Sequence, residues 1–319
     1  MLVIVVLALG AALLYGVADF MAGVAARRIP VLVASTINYA LASVVLIVAV
    51  IAVGGVWSTP AIVGGAVAGI LAAVGFLTFF AALAAGPISL MTPLIALLSS
   101  AVPVVVALVL GDRLEPIAWI AIAVAIVGSV LIGVERRVST RGLKARTLVF
   151  ALISGVGFGF ATVALDAVPA DAGLVPVFLD TTVGFVLLVG LAGLARTTPA
   201  LQRVVAMLDA HVPDESVPHL DAASAPGASR LARERIEPVG ARRSARVLAA
   251  AAGLLIGGGN VLLMVALHAG SVAVVAVLVN LYPVATVLLA WIVLRERVNA
   301  VQGTGIVLAV AASVMLGLA

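Results

Sequence analysis

The chain is dominated by apolar runs of about 20 residues, and these restrict its fold more than any other feature. A run of this length can cross the hydrocarbon core of a bilayer as a helix. Backbone groups in lipid must be satisfied internally, which leaves only helices or closed barrels. The alternating segments of ~10 residues that build a barrel are absent. The sequence therefore predicts an all-α integral membrane protein.

The composition supports this fold class, because 64% of the 319 residues are hydrophobic and only 10% are charged. A soluble domain has about 45–50% and 25%, respectively. No basic residue precedes the first run, so we expect a first span rather than a cleaved signal. Ten membrane-spanning segments are predicted, at about 2–24, 31–54, 61–84, 89–110, 117–134, 147–167, 173–195, 247–267, 272–294 and 300–318.

An internal repeat relates the two halves of the chain. At a shift of 184, residues 66–134 align without a gap on 250–318, and Gly69, Gly75 and Gly86 coincide with glycines. The first spans match only loosely, at a shift of 139, because a loop is inserted in the second half. The predicted units are a first five-helix repeat at 1–136, a second at 147–319, and a polar Arg/Pro-rich loop at 196–246 within the second.

Five helices per repeat place the second half in the membrane in the opposite sense. Such inverted repeats are typical of transporters, which bind substrate near the bilayer midplane between the halves. This fold-level argument favours a transporter over a receptor or scaffold. The loop at 196–246 is expected to be solvated, although "LQRVVAMLDAH" is typical of a short amphipathic helix on anionic lipid.

Asp19, in "LLYGVADFMAGVAARR", is the first candidate for chemistry. Arg27 follows it by ~12 Å of helix, so Asp19 is expected inside the hydrocarbon. A charged side chain at depth costs about 2.5–3.5 kcal/mol on insertion scales, and an intramembrane acid is a functional hypothesis. Asp19 would carry a proton while substrate moves the other way. The alternative is a protonated or hydrogen-bonded carboxyl that only fixes packing.

Asp180, in "VPVFLDTTVGF", is the second candidate and would pair with the first helix across the two halves. The alternative is an acid stabilised by the dipole of a nearby helix N-terminus. Uncharged polar residues also fall within the predicted spans, where each either joins helices or lines a substrate cavity. They are Tyr15, Asn38, Tyr39, Asn260, Asn280 and Tyr282. Pro103 and Pro283 predict breaks in equivalent helices.

Other functional classes find little support in the sequence. Without cysteine there is no disulfide or thiolate metal site, and no zinc motif, nucleophile elbow or phosphate loop is present. "GVGFGF" at 155–160 imitates a dinucleotide loop but lies inside a span, which favours close helix packing. We therefore expect no cofactor, no metal and no enzymatic activity. The small number of aromatic residues argues against a broad aromatic multidrug pocket.

The net charge of +4 does not indicate nucleic-acid binding, because the basic residues concentrate in loops between spans. The loops after the first, fifth, seventh and ninth spans hold all of them except Arg113. The positive-inside rule then places both termini outside the cell.

Several stretches resemble EamA-type members of the drug/metabolite transporter superfamily. They are "LLYGVADFMAGVAARR", "ALAAGPISLMTPLIALLSSAVPVVVALVLGDRLEP" and "VAVLVNLYPVATVLLAWIVLRERV". The helix-end sequences "GDRLE" and "RERVN" depart slightly from the Gly-Glu-Arg-Leu usual in that family. The resemblance implies ten helices, a cavity built from the first four helices of each half, termini inside, and export or exchange of small metabolites. The charge bias and the resemblance thus predict opposite orientations, and the size of the bias favours termini outside.

The predicted function is secondary-active transport of small organic metabolites such as amino acids, by alternating access in an inner membrane. The expected partners are a small-molecule substrate, the lipid bilayer and, in a coupled mechanism, protons, in a monomer or homodimer. The alternatives are an uncoupled facilitator, in which Asp19 only binds substrate, and a scaffold or receptor. A scaffold or receptor would keep its function when the buried acids are neutralised.

Overall fold

The computed structural model describes residues 2–86, 88–111, 116–133, 145–209, 239–293 and 300–318. Within these ranges every regular element is helical, and a 3₁₀ turn, Ala170–Ala172, precedes α7. The α-helices are α1 (Leu2–Ala26), α2 (Val31–Val53), α3 (Thr59–Ala85), α4 (Ile88–Val109), α5 (Pro116–Gly133), α6 (Ala145–Asp166), α7 (Val175–Leu194), α8 (Pro199–Asp209), α9 (Val239–Ala269), α10 (Val272–Val279), α11 (Pro283–Val293) and α12 (Ala300–Leu318).

Eight candidate membrane spans lie in the described part of the chain, judged by length and apolar composition. They are formed by α1, α2, α3, α4, α6, α7, α9 and the α10–α11 pair. The all-helical, multi-pass fold is therefore confirmed. The remaining predicted spans correspond to α5, which holds a shorter apolar stretch at Trp119–Gly128, and to α12. The count of ten spans stays a prediction.

The polar segment between α7 and α9 begins with the predicted amphipathic helix, which is α8. Leu208 of α8 is buried, and the Asp209 carboxylate accepts a hydrogen bond of 2.7 Å from the backbone N–H of Val31 at the start of α2. α9 begins at Val239, so its first two turns lie within the predicted polar loop, whose bounds at 196–246 stay a prediction. At 1.5 Å per residue α9 is about 46 Å long, so it continues beyond a hydrocarbon core of about 30 Å. Residues 210–238 of this segment lie outside the described residues.

The two halves of the chain interleave through reciprocal helix contacts. α1 packs along α9 as α3 packs along α6, and α2 meets α9 as α7 meets α3. The α4–α6 contact likewise corresponds to those of α1 with α10 and α11, while α5 packs on α12.

Glycines permit the close approaches between these helices. A Cβ on Gly69 would lie 2.5 Å from the Asp180 carbonyl oxygen, and one on Gly253 would lie 2.4 Å from that of Asn38. The glycines of the repeat are thus packing positions.

The predicted break at Pro283 is present, and it separates α10 from α11. Because proline has no N–H, 3₁₀-type bonds close the end of α10, from Leu281 N to Leu278 O and from Tyr282 N to Val279 O, both 3.2 Å. The predicted break at Pro103 is wrong, since α4 runs through it. Proline is tolerated inside membrane helices where neighbouring helices compensate for the lost bond. Pro103 leaves the backbone carbonyl of Ser99 without its helical donor. Gly159 of α6 packs closely against this carbonyl of α4.

Candidate functional site

A cavity of about 120 Å³ lies where helices of the two halves meet. Its walls come from α1, α2, α3, α4, α6, α7, α9 and α10, and from the break before α11. All eight residues singled out in the sequence line it, namely Tyr15, Asp19, Asn38, Tyr39, Asp180, Asn260, Asn280 and Tyr282. The structure thus brings the predicted residues together, while their role in binding or coupling stays a prediction.

One group of lining residues forms a hydrogen-bonded chain across α1, α9 and α7. The Tyr15 hydroxyl donates to Oδ1 of Asn260 over 2.6 Å, and Nδ2 of Asn260 donates to the Thr181 hydroxyl over 3.3 Å. Tyr15 reaches Asn260 because its ring packs on Gly259, where a Cβ would lie 2.5 Å from the ring. We call Tyr15, Asn260 and Thr181 the polar wall.

A second group fastens the helix break to α4. The Ser99 hydroxyl donates to Oδ1 of Asn280 over 2.6 Å, and the Tyr282 hydroxyl donates to the Thr92 carbonyl over 3.3 Å. Nδ2 of Asn280 donates in turn to the Ala276 carbonyl of its own helix over 2.8 Å. For Asn280 and Tyr282 these bonds favour the role of joining helices. Sequence reasoning missed Ser99, although a Ser pair one turn before Pro103 inside a span was a usable signal.

Three other lining residues hold buried polar atoms that have no partner among the described residues. They are both amide atoms of Asn38, the hydroxyl of Tyr39 and Oδ1 of Asp180. These side chains are no more than 7% exposed. A buried polar group left unpaired costs about 1–3 kcal/mol. Groups of this kind are available to bind water or a ligand.

The described residues that line the cavity supply two carboxyls and no basic side chain. Asp19 lies within electrostatic range of Tyr15 and Tyr282, and Asp180 lies within range of Tyr15 and Tyr39. The lining includes no Lys, Arg or His. A charged carboxylate here therefore needs a proton or a cationic ligand, because an unpaired charge is very costly to bury.

Aromatic rings cover the part of the cavity formed by α2, α3 and α6. The Tyr39 and Phe76 rings meet edge to face with centroids 5.3 Å apart, and Phe76 and Phe158 do so at 4.8 Å. We call Tyr39, Phe76 and Phe158 the aromatic wall. The expectation that the protein has no broad aromatic multidrug pocket stays a prediction, although the fold gathers five aromatic side chains around this small cavity. The number of aromatic residues in a sequence does not tell where their side chains lie in the fold.

No group of three or more potential metal-binding side chains occurs among the described residues. Gly155 and Gly159 of the "GVGFGF" segment pack against α4, where a Cβ on Gly159 would lie 2.6 Å from that of Val102, and Gly157 packs against α3. The helix-packing interpretation of this segment is therefore confirmed.

Comparisons with known proteins agree with this architecture. The model of the EamA-like transporter family matches residues 2–134 and 230–318. A solved crystal structure of another protein aligns over 98% of this chain and 95% of its own, with a TM-score of 0.61 and 18% sequence identity. At that identity the likeness concerns the fold alone. No curated protein matches the chain.

The family match covers most of both halves and includes every lining residue except those of α6 and α7. The helix-end sequences that first suggested the family fall mostly at 112–115 and 294–299, outside the described residues. The chain belongs to the EamA-like transporter family, whose members are membrane transporters of small molecules and not enzymes.

Proposed function

We propose that this protein is a secondary-active exporter of small organic metabolites, amino acids and related amines among them, in a cell inner membrane. The observation that carries the proposal is the cavity between the halves, which the described residues line with two carboxyls and no basic side chain. Its volume is close to the roughly 150 Å³ of an apolar cavity that holds benzene. A substrate of metabolite size fits this space. The direction of transport rests on the family resemblance.

The proposed transport cycle uses the two halves as inverted repeats that move against each other around the cavity. The reciprocal contacts, α1 with α9 and α3 with α6, support this arrangement. In such a pair each half can adopt the conformation of the other, which opens the same cavity to the opposite side of the membrane. The break between α10 and α11, held to α4 by the Ser99–Asn280 bond, provides a joint in the second half.

Asp19 is the proposed proton carrier, and Asp180 is its partner in the cavity. Both carboxyls are buried, at 6% and 7% exposure, on helices from different halves. Asp19 would be neutral when protonated and would release the proton when substrate or an open pathway stabilises its charge. Because the described lining offers no basic side chain, a proton and a cationic substrate compete to neutralise the same pair of carboxyls, and competition of this kind couples their movements.

The test is substrate-triggered proton release from acid-loaded proteoliposomes, over a panel of amines and amino acids. The variant is Asp19→Asn, and the matched control is Asp171→Asn, which makes the same chemical change at an exposed site. We expect proton release in the wild type and the control, and its loss in Asp19→Asn.

Each other outcome excludes part of the proposal. Substrate movement without proton flux in any of the proteins would identify an uncoupled facilitator, in which Asp19 binds substrate or supports packing. No movement of any panel member would contradict the transport proposal and favour a scaffold or receptor.

A further inference from the structure

The two walls of the cavity occupy equivalent positions in the two halves. Gly75 and Gly259 coincide in the repeat, and they pack against the rings of Phe158 and Tyr15, respectively. These contacts make Tyr15 and Phe158 equivalent. Their register differs by one helical turn from the loose match of the first spans in the sequence.

The remaining positions of the two walls correspond in the same way. Phe76 and Asn260 directly follow the two equivalent glycines. Gly69 packs on the Asp180 carbonyl as Gly253 packs on that of Asn38, so the residues that follow, Thr181 and Tyr39, are also equivalent.

Equivalent positions therefore make different kinds of contact, hydrogen bonds in one wall and ring packing in the other. One residue of each equivalent pair belongs to the hydrogen-bonded polar wall of Tyr15, Asn260 and Thr181. The other residue of each pair belongs to the aromatic wall of Tyr39, Phe76 and Phe158. A cavity with one apolar and one polar side favours a ligand that is itself apolar at one end and polar at the other.

The unpartnered atoms indicate what the polar end of the ligand is. They are the Asn38 amide, the Tyr39 hydroxyl and Oδ1 of Asp180, and Tyr39 also belongs to the aromatic wall. A protonated amine satisfies the oxygens of this set, because it donates to the Asp180 carboxylate, the Asn38 amide oxygen and the Tyr39 hydroxyl oxygen. Its charge pairs with Asp180 and is attracted to the adjacent ring faces. A ligand carboxylate would find no basic side chain among the described residues of the lining.

We propose that the substrate is a small primary amine with one apolar group and no carboxylate, held by its ammonium at Asp180 and Asn38. Its apolar group lies against the aromatic wall. This inference rests on the proposed transport function and narrows it. With a volume near 120 Å³, the cavity accommodates about six non-hydrogen atoms, as in benzene. Isoamylamine has this size, and leucine differs from it only by the added carboxylate.

The experiment compares equilibrium binding and counterflow of isoamylamine and leucine in the reconstituted wild-type protein. We expect isoamylamine to bind at least tenfold more tightly and to exchange faster. Asp180→Asn should weaken isoamylamine binding at least tenfold, and Phe158→Leu several-fold, whereas Asp171→Asn should leave it unchanged. The wild-type comparison stands even where a variant fails to fold.

Leucine binding as tightly as isoamylamine would overturn the inference, and so would unchanged amine binding by a folded Asp180→Asn protein. If leucine exchanges and isoamylamine does not, the amine assignment fails while the transport proposal stands. If neither binds or exchanges, the amine assignment fails, and the wider metabolite panel then decides the transport proposal separately.

Discussion

Replacing Gly69 by alanine tests whether close helix packing sets the position of Asp180. A Cβ at residue 69 would lie 2.5 Å from the Asp180 carbonyl oxygen and 3.0 Å from the Cβ of Val183. An ordinary C···O contact is about 3.3 Å or longer, so α3 and α7 would have to separate by roughly 0.8 Å. Overpacking of this kind costs about 1–3 kcal/mol. We therefore expect Gly69→Ala to lower the free energy of unfolding by that amount and to reduce transport.

The matched control is Gly190→Ala, on the same helix as Asp180. A Cβ there meets nothing within 4 Å, so no overpacking is expected. Alanine is a better helix former than glycine by up to ~1 kcal/mol, which makes the control neutral or slightly stabilising. Both variants are measured by denaturant unfolding of the protein in detergent micelles, with substrate counterflow as a second readout. Equal or greater stability of Gly69→Ala than of Gly190→Ala would refute the packing argument.

Three further predictions concern a hydrogen bond in the cavity, the docking of α8 and the orientation in the membrane. Tyr15→Phe removes the bond to Asn260 and should cost about 0.6 kcal/mol in the same unfolding assay, the average for interhelical bonds in a membrane; no loss would show that this bond contributes nothing to stability. Burial raises the pKa of Asp209, so folding favours its protonated form, and docking of α8 should strengthen as pH falls through that raised pKa and weaken as pH rises through it; hydrogen exchange of residues 199–209 that shows the opposite trend would contradict this. A cysteine introduced at Ser216, in a chain without native cysteine, should react with an impermeant thiol reagent from the cytoplasmic side only, as the loop charges predict, and labelling of intact cells from outside would reverse the orientation.

Much of the fold follows from the sequence because lipid imposes simple constraints. Apolar length alone predicts the spans, and the equivalence of Gly69 and Gly253 predicts where helices approach closely. The amphipathic pattern of 201–211 predicts a helix, which the structure has at Pro199–Asp209 as α8. The helix breaks were harder to predict, because the loss of a backbone hydrogen bond at proline and the compensation by neighbouring helices have similar strength. Pro103 and Pro283 both lie inside apolar segments of equivalent helices. The packing around each proline decides that Pro283 breaks its helix and that Pro103 does not.

The candidate site was predictable as a set of residues but not as an arrangement. Asp19 and Asp180 are conspicuous because acids are rare in spans. The Asn260 amide is bonded on both sides, whereas the Asn38 amide has no partner among the described residues. This difference depends on contacts between distant helices, which no local pattern encodes. The aromatic wall was missed for the same reason, since Phe76 and Phe158 are ordinary apolar residues until α3 and α6 pack together.

The central claim is that the cavity between the halves is the transport pathway and opens to each side of the membrane in turn. The most direct test is a single cysteine at Ala161, which lines the cavity, labelled by an impermeant thiol reagent from each side of sealed vesicles. A cysteine at Ala81, which is fully buried and not part of the lining, is the control. The account predicts labelling of residue 161 from both sides, protection by substrate, and no labelling of residue 81. Labelling of residue 161 from one side only, or from neither, would contradict it.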